Sequence, residues 1–312
     1  MKAVLLANMG APVSEREMKT FLKRMFSDKA IIYAPWLVRF VMSFLISNLR
    51  YKSSWKKYKQ IGGSLLQQSM NETAANLSNL LGENYVVGCV YSYSQPFIED
   101  KIAELYAQGI REITVISMYP QASFSTSGSV QHTIDKVQNQ YIDMNIVFIE
   151  DYFNNDLFIE SWINLIKAKI NDMAYKAPYL LFSAHAIPQS FVTRGDLYTL
   201  KLEISAALIA EKLNLPYSLS YQSKIGPMAW TTPNTIDQLK ELQCRGVNQI
   251  IIVPLSFINE NLETCYDLDI ELIPYGLNFL KINDLCRISI PWSNPLLVKM
   301  FYDFIMQPNE VN

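Results

Sequence analysis

Short apolar runs alternate with amphipathic stretches from one end of the chain to the other. Val4–Ala7, Tyr85–Tyr91, Ile113–Ser117, Ile146–Ile149, Tyr179–Phe182, Tyr217–Tyr221, Ile250–Val253 and Ile288–Ile290 are bounded apolar runs, several rich in β-branched or aromatic residues. Runs this short read as strands buried in a sheet. Between them, Ser14–Phe26, Ile98–Gln108, Asn155–Ile170 and Thr199–Leu213 read as helices with one apolar face. Such strand–helix alternation predicts parallel sheets covered by helices on both faces, an α/β protein.

The pattern also repeats. Gly109-Ile110-Arg111-Glu112-Ile113-Thr114-Val115 returns 137 positions later as Gly246-Val247-Asn248-Gln249-Ile250-Ile251-Ile252, and Pro96/Pro233 and Leu105/Leu242 keep that offset. The run Leu5–Gly10 likewise rhymes with Leu181–Ala186. Two similar α/β halves follow, residues 1–150 and 151–312, with the boundary somewhere in 150–176. Facing halves make a cleft lined by strand ends from both, and ligand sites favour such places.

Composition narrows the class. The chain of 312 residues is half hydrophobic and 18% charged, which suits two folded cores and excludes a disordered chain. A net charge of −2 argues against a nucleic-acid partner, whose phosphates would call for a basic excess. Met1-Lys2 leads straight into a strand, so no signal peptide is expected. Four scattered cysteines with no C-x-x-C pair read as reduced thiols of a cytoplasmic protein.

Ala30–Ser47 stands apart. It is strongly apolar, but Pro35 and Arg39 interrupt it short of the roughly 20 residues a membrane span needs. Arg50, Lys52, Lys56, Lys57 and Lys59 follow. The plainer reading is a partly buried helix with a solvated basic flank. The functional one is an apolar lip, residues 30–50, that covers a greasy ligand or touches the inner membrane face.

Four stretches could carry chemistry. Phe182-Ser183-Ala184-His185-Ala186-Ile187-Pro188 puts one of two histidines where a strand gives way to a loop. An imidazole there can transfer protons or bind metal, though a lone histidine is more often a satisfied core residue. In the stretch after Ile250–Val253, Glu263, Asp267 and Glu271 are spaced by four and share a face of a helix. A solvated acidic face is the usual explanation, and a path for a divalent cation the sharper one. Tyr221–Thr235 mixes aromatics with hydroxyls and is alone only a loop. Met118–Ser129 is a hydroxyl-rich turn into a helix, either a cap cluster or an anion site.

In this order the four stretches resemble the ferrochelatase family, whose members insert Fe²⁺ into a porphyrin. Ser-Ala-His-x-x-Pro, Gln-Ser-x-x-Gly-Pro and Leu-Glu-Thr-x-Tyr-x-Leu-Asp-Ile-Glu carry the resemblance. Leu6–Pro12 and Tyr58-Lys59-Gln60-Ile61-Gly62-Gly63 are similar to two further family elements. The likeness runs from about Lys2 to Trp292. It implies two Rossmann-like halves around a porphyrin cleft, with porphyrin and ferrous iron as substrates, no organic cofactor, and no iron–sulfur cluster given the cysteine spacing.

The resemblance also implies roles. His185 would accept pyrrole protons or bind the metal, Glu263 would face it, and Asp267 and Glu271 would deliver the ion. Tyr93, Tyr119 and Ser123 would line the pocket. Met9, Tyr221, Trp230 and Phe257 would form a wall that holds the ring buckled. Arg50, Lys52 and Ser223 would lie near the propionates. Methionine at position 9, where coproporphyrin-using relatives often carry tyrosine, leans toward protoporphyrin IX.

The chain departs from the family at Asn261, usually histidine, at Ser92, often arginine, and at Leu65, where the proline usual after the serine is missing. The first two lie where metal delivery and a propionate contact are expected. The rival readings are a coproporphyrin enzyme, a cobalt chelatase of the same fold, which the Gln-Ser-x-x-Gly-Pro loop argues against, and a porphyrin- or haem-binding protein without catalysis. The oligomeric state stays open.

Overall fold

A computed structural model of the chain describes residues 1–173, 177–224, 226 and 228–307. Lys176 of the expected boundary, and Ile225 and Pro227 of the Gln-Ser-x-x-Gly-Pro loop, lie outside the described residues. The chain forms two compact units, Met1–Asp151 joined by the segment from Trp292 onward, and Tyr152–Pro291.

The first unit runs β1 (Lys2–Asn8), α1 (Glu15–Ser27), α2 (Trp36–Gln60), α3 (Leu65–Leu81), β2 (Tyr85–Tyr91), α4 (Ile98–Ala107), β3 (Glu112–Ser117), α5 (Ser127–Gln140) and β4 (Asn145–Ile149). Its sheet is parallel, in the order β2-β1-β3-β4. Ala3, Leu5 and Ala7 sit with Ile98, Ile102 and Leu105 of α4 and Val130 and Ile134 of α5, while the equally buried Val4 and Leu6 alternate to the other face. At the exit from β1, Gly10 has φ +85°, and a Cβ there would lie 2.0 Å from Ser94 Oγ. Only glycine fits this turn.

The second unit runs α6 (Asp156–Met173), β5 (Tyr179–His185), α7 (Gln189–Thr193), α8 (Tyr198–Leu213), β6 (Tyr217–Gln222), α9 (Thr235–Cys244), β7 (Gln249–Val253), a π-helix (Glu263–Leu272), α10 (Ile273–Asn278) and β8 (Asp284–Arg287). Its sheet is parallel in the order β6-β5-β7-β8, the same topology as the first. The expected repeat holds in detail. α4 and α9 occupy equivalent positions, and Gly109 and Gly246, at φ +81° and +76°, lead into β3 and β7. Tyr91 N–H donates to the Pro96 carbonyl at 2.9 Å, as Tyr221 N–H does to Pro233 at 2.8 Å.

Four local expectations are corrected. The last expected strand, Ile288–Ile290, is displaced to Asp284–Arg287. Ile288 adds one more ladder bond, to the Ile252 carbonyl at 2.9 Å, and the Ile290 N–H then turns to Glu260. β5 runs three residues beyond Phe182, because Ser183, Ala184 and His185 still pair with Ser220, Tyr221 and Gln222. The acidic segment from Glu263 is a π-helix rather than an α-helix. Finally, the second half does not extend to 312. Helix α11 (Pro295–Met306) belongs to the first unit, where Ser69 Oγ donates to the Trp292 carbonyl at 2.8 Å.

The apolar segment follows neither simple picture. Ala30–Pro35 forms turns, Arg39 ties them by donating to the Ala34 and Ser27 carbonyls, and α2 then runs 25 residues against α1. Ser43 and Ser47 are its buried residues, their hydroxyls turned back onto the Phe40 and Phe44 carbonyls. Trp36, Leu37, Phe40, Phe44, Leu45 and Leu49 are exposed. The first half of the partly buried helix is therefore inverted, with Ser43 and Ser47 inward and large apolar residues in water, while Ile46, Tyr51, Trp55 and Tyr58 pack against the α1 core. Among the described residues no helix is long and apolar enough to cross a membrane.

The placement of α11 is testable. Phe301 is fully buried, so Phe301→Ala should lower the unfolding free energy of the first unit by about 3–5 kcal/mol in urea denaturation. A loss below about 1 kcal/mol, the size of an ordinary substitution, would mean that α11 does not complete this core.

Candidate active site

One face of β5 reads Tyr179, Leu181, Ser183, His185, apolar at the start and polar at the carboxyl end. Tyr179 and Leu181 pack with Leu239 and Leu242 of α9 and Leu268 and Leu272 of the π-helix. His185 thus emerges on the side where the π-helix lies. Its backbone is fixed from two directions. Its N–H donates to Ser256 Oγ at 3.1 Å, and its carbonyl accepts from Tyr198 Oη at 3.1 Å. The following Ala186-Ile187-Pro188 is held by Thr231, whose N–H donates to the Ile187 carbonyl at 3.0 Å.

Glu263 opens the π-helix and meets this imidazole, with 2.7 Å between His185 Nδ1 and Glu263 Oε2. Asn261 prepares the meeting. Its side-chain oxygen accepts from the Glu263 and Thr264 N–H groups at 2.8 and 3.1 Å, satisfying donors that a helix start leaves open. The residue that departs from the family pattern is the cap of the element that carries the carboxylate.

Asp267 joins the pair indirectly. Ser223, held at φ +63°, donates from Oγ to Asp267 Oδ2 at 2.9 Å. Ser223, expected near a propionate, here holds the acidic segment. Glu271 is exposed further along the π-helix. Among the described residues no three of histidine, cysteine, aspartate and glutamate converge as a metal-holding group. The acidic row does not close into a cage around His185.

A buried polar layer lies under the pair. Gln222 is the register partner of His185 on β6 and shares its face. Ser183 Oγ donates to Gln222 Oε1 at 2.8 Å and also meets Thr235 Oγ1 at 3.2 Å. A hydroxyl donor at Oε1 turns the Gln222 amide nitrogen toward Glu263, which it approaches without closing a full hydrogen bond. Sequence reading quoted Gln222 only as part of a motif. Its signal is the parallel register, which puts it level with His185.

These neighbours decide the charges. Burial pulls the His185 imidazole down, but the Glu263 carboxylate, the hydrogen bond to it and the field of Asp267 outweigh burial and raise its pKa above the ordinary value. Burial pushes Glu263 up, but the imidazolium, its hydrogen bond and the nearby polar groups of Ser223 and Gln222 hold it below. With Nδ1–H on the carboxylate, the neutral imidazole keeps its lone pair on Nε2, the arrangement of an oriented general base.

The other expected residues are distributed as follows. Tyr221 is buried and alternates to the face opposite His185, beside Tyr198 and Glu203 of α8, so the structure does not bring it to the pair. Trp230 and Phe257 are half-buried at the strand-end loops, Trp230 bridged to Pro188.

In the first unit, the Met9 carbonyl accepts from the Tyr93 N–H at 3.0 Å, and the Met9 backbone also bonds Tyr119. Tyr93 is buried, its hydroxyl donating to Asp28 Oδ2 at 2.8 Å and meeting Ser129 Oγ at 3.2 Å. Tyr93 anchors the turn ahead of α2. Ser123 is also buried. Its carbonyl accepts from Thr126 N–H and Gly128 N–H, and Ser127 Oγ reaches Glu150 Oε1 at 3.2 Å, so this turn is knitted by its own groups. Arg50 and Lys52 are exposed on α2.

Comparison with known proteins agrees with the geometry. The family model described as ferrochelatase matches residues 1–308. A ferrochelatase of Sulfurihydrogenibium sp. is 32% identical over 97% of this chain and 97% of its own length. One of Rickettsia felis is 36% identical over 94% of this chain and 90% of its own. Among solved structures, SirB from Bacillus subtilis with Fe³⁺ superposes with a TM-score of 0.55 at 15% identity, covering 98% of this chain and 95% of that one. The sirohydrochlorin chelatase SirB from Bacillus subtilis subspecies spizizenii, in complex with cobalt, gives 0.58 at 11% identity, over 99% and 96%. At those identities the likeness is one of fold.

The pair's electrostatics give an expectation independent of turnover. In an NMR titration His185 should titrate above the imidazole reference of about 6.5, and Glu263→Gln should bring it down, since burial is then opposed only by the more distant Asp267. A raised histidine stabilises fully below its unfolded pKa and loses that stabilisation as pH rises through the folded one. A depressed glutamate stabilises above its unfolded pKa and loses this as pH falls through the folded one. The pair's contribution to stability is therefore largest between about 4.3 and 6.5. No movement of the His185 titration in Glu263→Gln would break the assignment.

Proposed function

The chain belongs to the ferrochelatase family, and from that premise we propose that it inserts ferrous iron into protoporphyrin IX, with His185 as the base that removes pyrrole protons. Metal insertion into a porphyrin is a lyase reaction, and the chain is an enzyme of this kind. The observation that carries the residue assignment is the 2.7 Å contact between His185 Nδ1 and Glu263 Oε2.

The ring must lose two N–H protons as Fe²⁺ enters, and iron is here a substrate. In the proposed scheme His185 accepts one proton at Nε2. Its Nδ1–H stays on Glu263, which holds the ring orientation and stabilises the imidazolium. The imidazolium must lose this proton before the second can be taken, and the carboxylates Glu263, Asp267, which Ser223 holds at 2.9 Å, and Glu271 offer the protons a route out. The same carboxylates would guide the cation in the opposite sense. Trp230 and Phe257 supply large half-buried surfaces suited to a macrocycle. Protoporphyrin rather than coproporphyrin is favoured by the thioether of Met9, an apolar group at a position where coproporphyrin-using relatives often carry tyrosine. A binding protein without catalysis is the weaker reading, since Asn261 is engaged as a cap and the pair it supports is complete.

The exposed apolar face of α2 is proposed as a lip over the macrocycle, with Arg50 and Lys52 just beyond it for the propionates. Hydrogen exchange across Ala30–Ser47 should slow on saturation with protoporphyrin. Unchanged exchange there, with slowing on anionic vesicles instead, would make it a membrane contact.

The function is tested by one assay. Purified protein should metallate protoporphyrin with a higher kcat/KM than coproporphyrin, and His185→Ala should abolish insertion while porphyrin still binds by fluorescence titration. Near-normal turnover in the variant would remove His185 from the reaction. Tight porphyrin binding without insertion in the wild type would establish the non-catalytic reading.

A further inference from the structure

Arg287 ends β8 with its side chain only 5% exposed, and no step above uses it. Its guanidinium takes Asp269 in a two-point fork, Nε to Oδ1 at 2.9 Å and Nη2 to Oδ2 at 2.6 Å. Nη1 donates to Glu260 Oε1 at 2.9 Å and to the Ile288 carbonyl at 2.9 Å. Glu260 in turn accepts from the Ile290 N–H at 2.8 Å and, through Oε2, from Thr264 Oγ1 and Cys265 Sγ. One buried cation thus grips the chain three residues before Glu263 and six residues after it.

The grip matters because of the helix it spans. An α-helix turns about 100° per residue, and a helix closed by i→i+5 bonds about 82°. Over the six residues from Glu263 to Asp269 the two registers diverge by about 110°. With Glu263 on His185, an α-helical segment would carry Asp269 well away from the direction of Arg287. The π register lets both contacts exist together. Runs of π-helix are rare and need a local cause. A buried ion pair is poor evidence for stability, and its best-attested use is to fix a register.

We propose that Arg287 is a positioning residue for metal insertion: by holding Asp269 and Glu260 it keeps Glu263–Leu272 in the wide register and so sets Glu263 against His185. The turnover it predicts rests on the function proposed above, while its effect on the helix does not.

Asp269→Asn removes the charge of the fork at nearly constant size, and Arg287→Lys keeps the charge but loses the two-point geometry. In both, amide hydrogen exchange across residues 263–272 should speed up. The kcat for zinc or iron insertion should fall by about tenfold or more, since a misplacement of about 1 Å costs on the order of 10²-fold. The KM and Kd for protoporphyrin should stay within about twofold, because the residues proposed to touch the ring are unchanged. A merely structural role would lower the yield of folded protein and leave kcat per folded molecule intact. Unchanged kcat in both variants overturns the proposal, as does a loss of kcat with no change in exchange over 263–272. A wild type that inserts no metal would fail the functional reading alone, and faster exchange in the variants would still read out the clamp.

Discussion

The structure of the second unit turns on bringing an imidazole and a carboxylate within 2.7 Å at the carboxyl end of a buried sheet. Neither group reaches that place cheaply. Both are partly drawn out of water, which disfavours each charge alone, and each is held charged by the other and by polar groups around it. The surrounding polar residues have orienting work to do, because polar groups removed from water are costly when left half-satisfied. Ser256 and Tyr198 fix the backbone of His185, Asn261 caps the start of the π-helix, and Ser183 turns Gln222 toward Glu263. Serine and threonine occupy buried positions on this face because the pair needs donors and acceptors beneath it.

The parallel sheet makes this arrangement inevitable in one respect. All four strands of the unit point the same way, so loops after β5, β6 and β7 gather at one edge and side chains two residues apart repeat on one face. Along β5 the change from Leu181 to Ser183 and His185 marks where the core ends and chemistry begins. The duplicated topology puts Met9 and Tyr119 at the equivalent edge of the first unit, after β1 and β3. The two units do different things with it. The first unit's edge is knitted by Asp28, Tyr93 and the hydroxyls of Ser123–Ser129, the second's by the ion pair.

Much of this was legible. Seven of eight strands, the repeat and the His185 strand end follow from runs of apolar residues and their spacing, because buried parallel strands are continuous in sequence. What escaped was decided by partners distant in the chain. β5 continues to His185 through pairing with β6, which no property of Ser183 or Ala184 announces. β8 stops at Arg287 because Glu260 captures the chain beyond it. Spacing by four fits α- and π-helical turns alike, so Glu263, Asp267 and Glu271 could not reveal the register. Tyr221 and Gln222 are neighbours whose alternation sends one to α8 and the other to the pair. A motif names both without saying which faces the chemistry.

Helix α2 obeys a different logic from the rest. Elsewhere large apolar residues go inward; here Ser43 and Ser47 face the protein and Trp36, Phe40 and Phe44 face out. Serines four apart allow close approach to α1, and each satisfies its hydroxyl within its own turn, so burying them leaves no open polar group. The turn before the helix is pinned by Asp28 to Tyr93 and Ser129, and Arg39 closes it by bonding Ala34 and Ser27. The helix is held by these polar contacts at its start and by Ile46, Tyr51, Trp55 and Tyr58 on the α1 core, so the outward apolar surface of residues 36–49 is not used in folding. Contiguous apolar surface of this kind is uncommon on an isolated protein. It is this outward surface, aromatics first and basic residues after, on which the proposed lip rests.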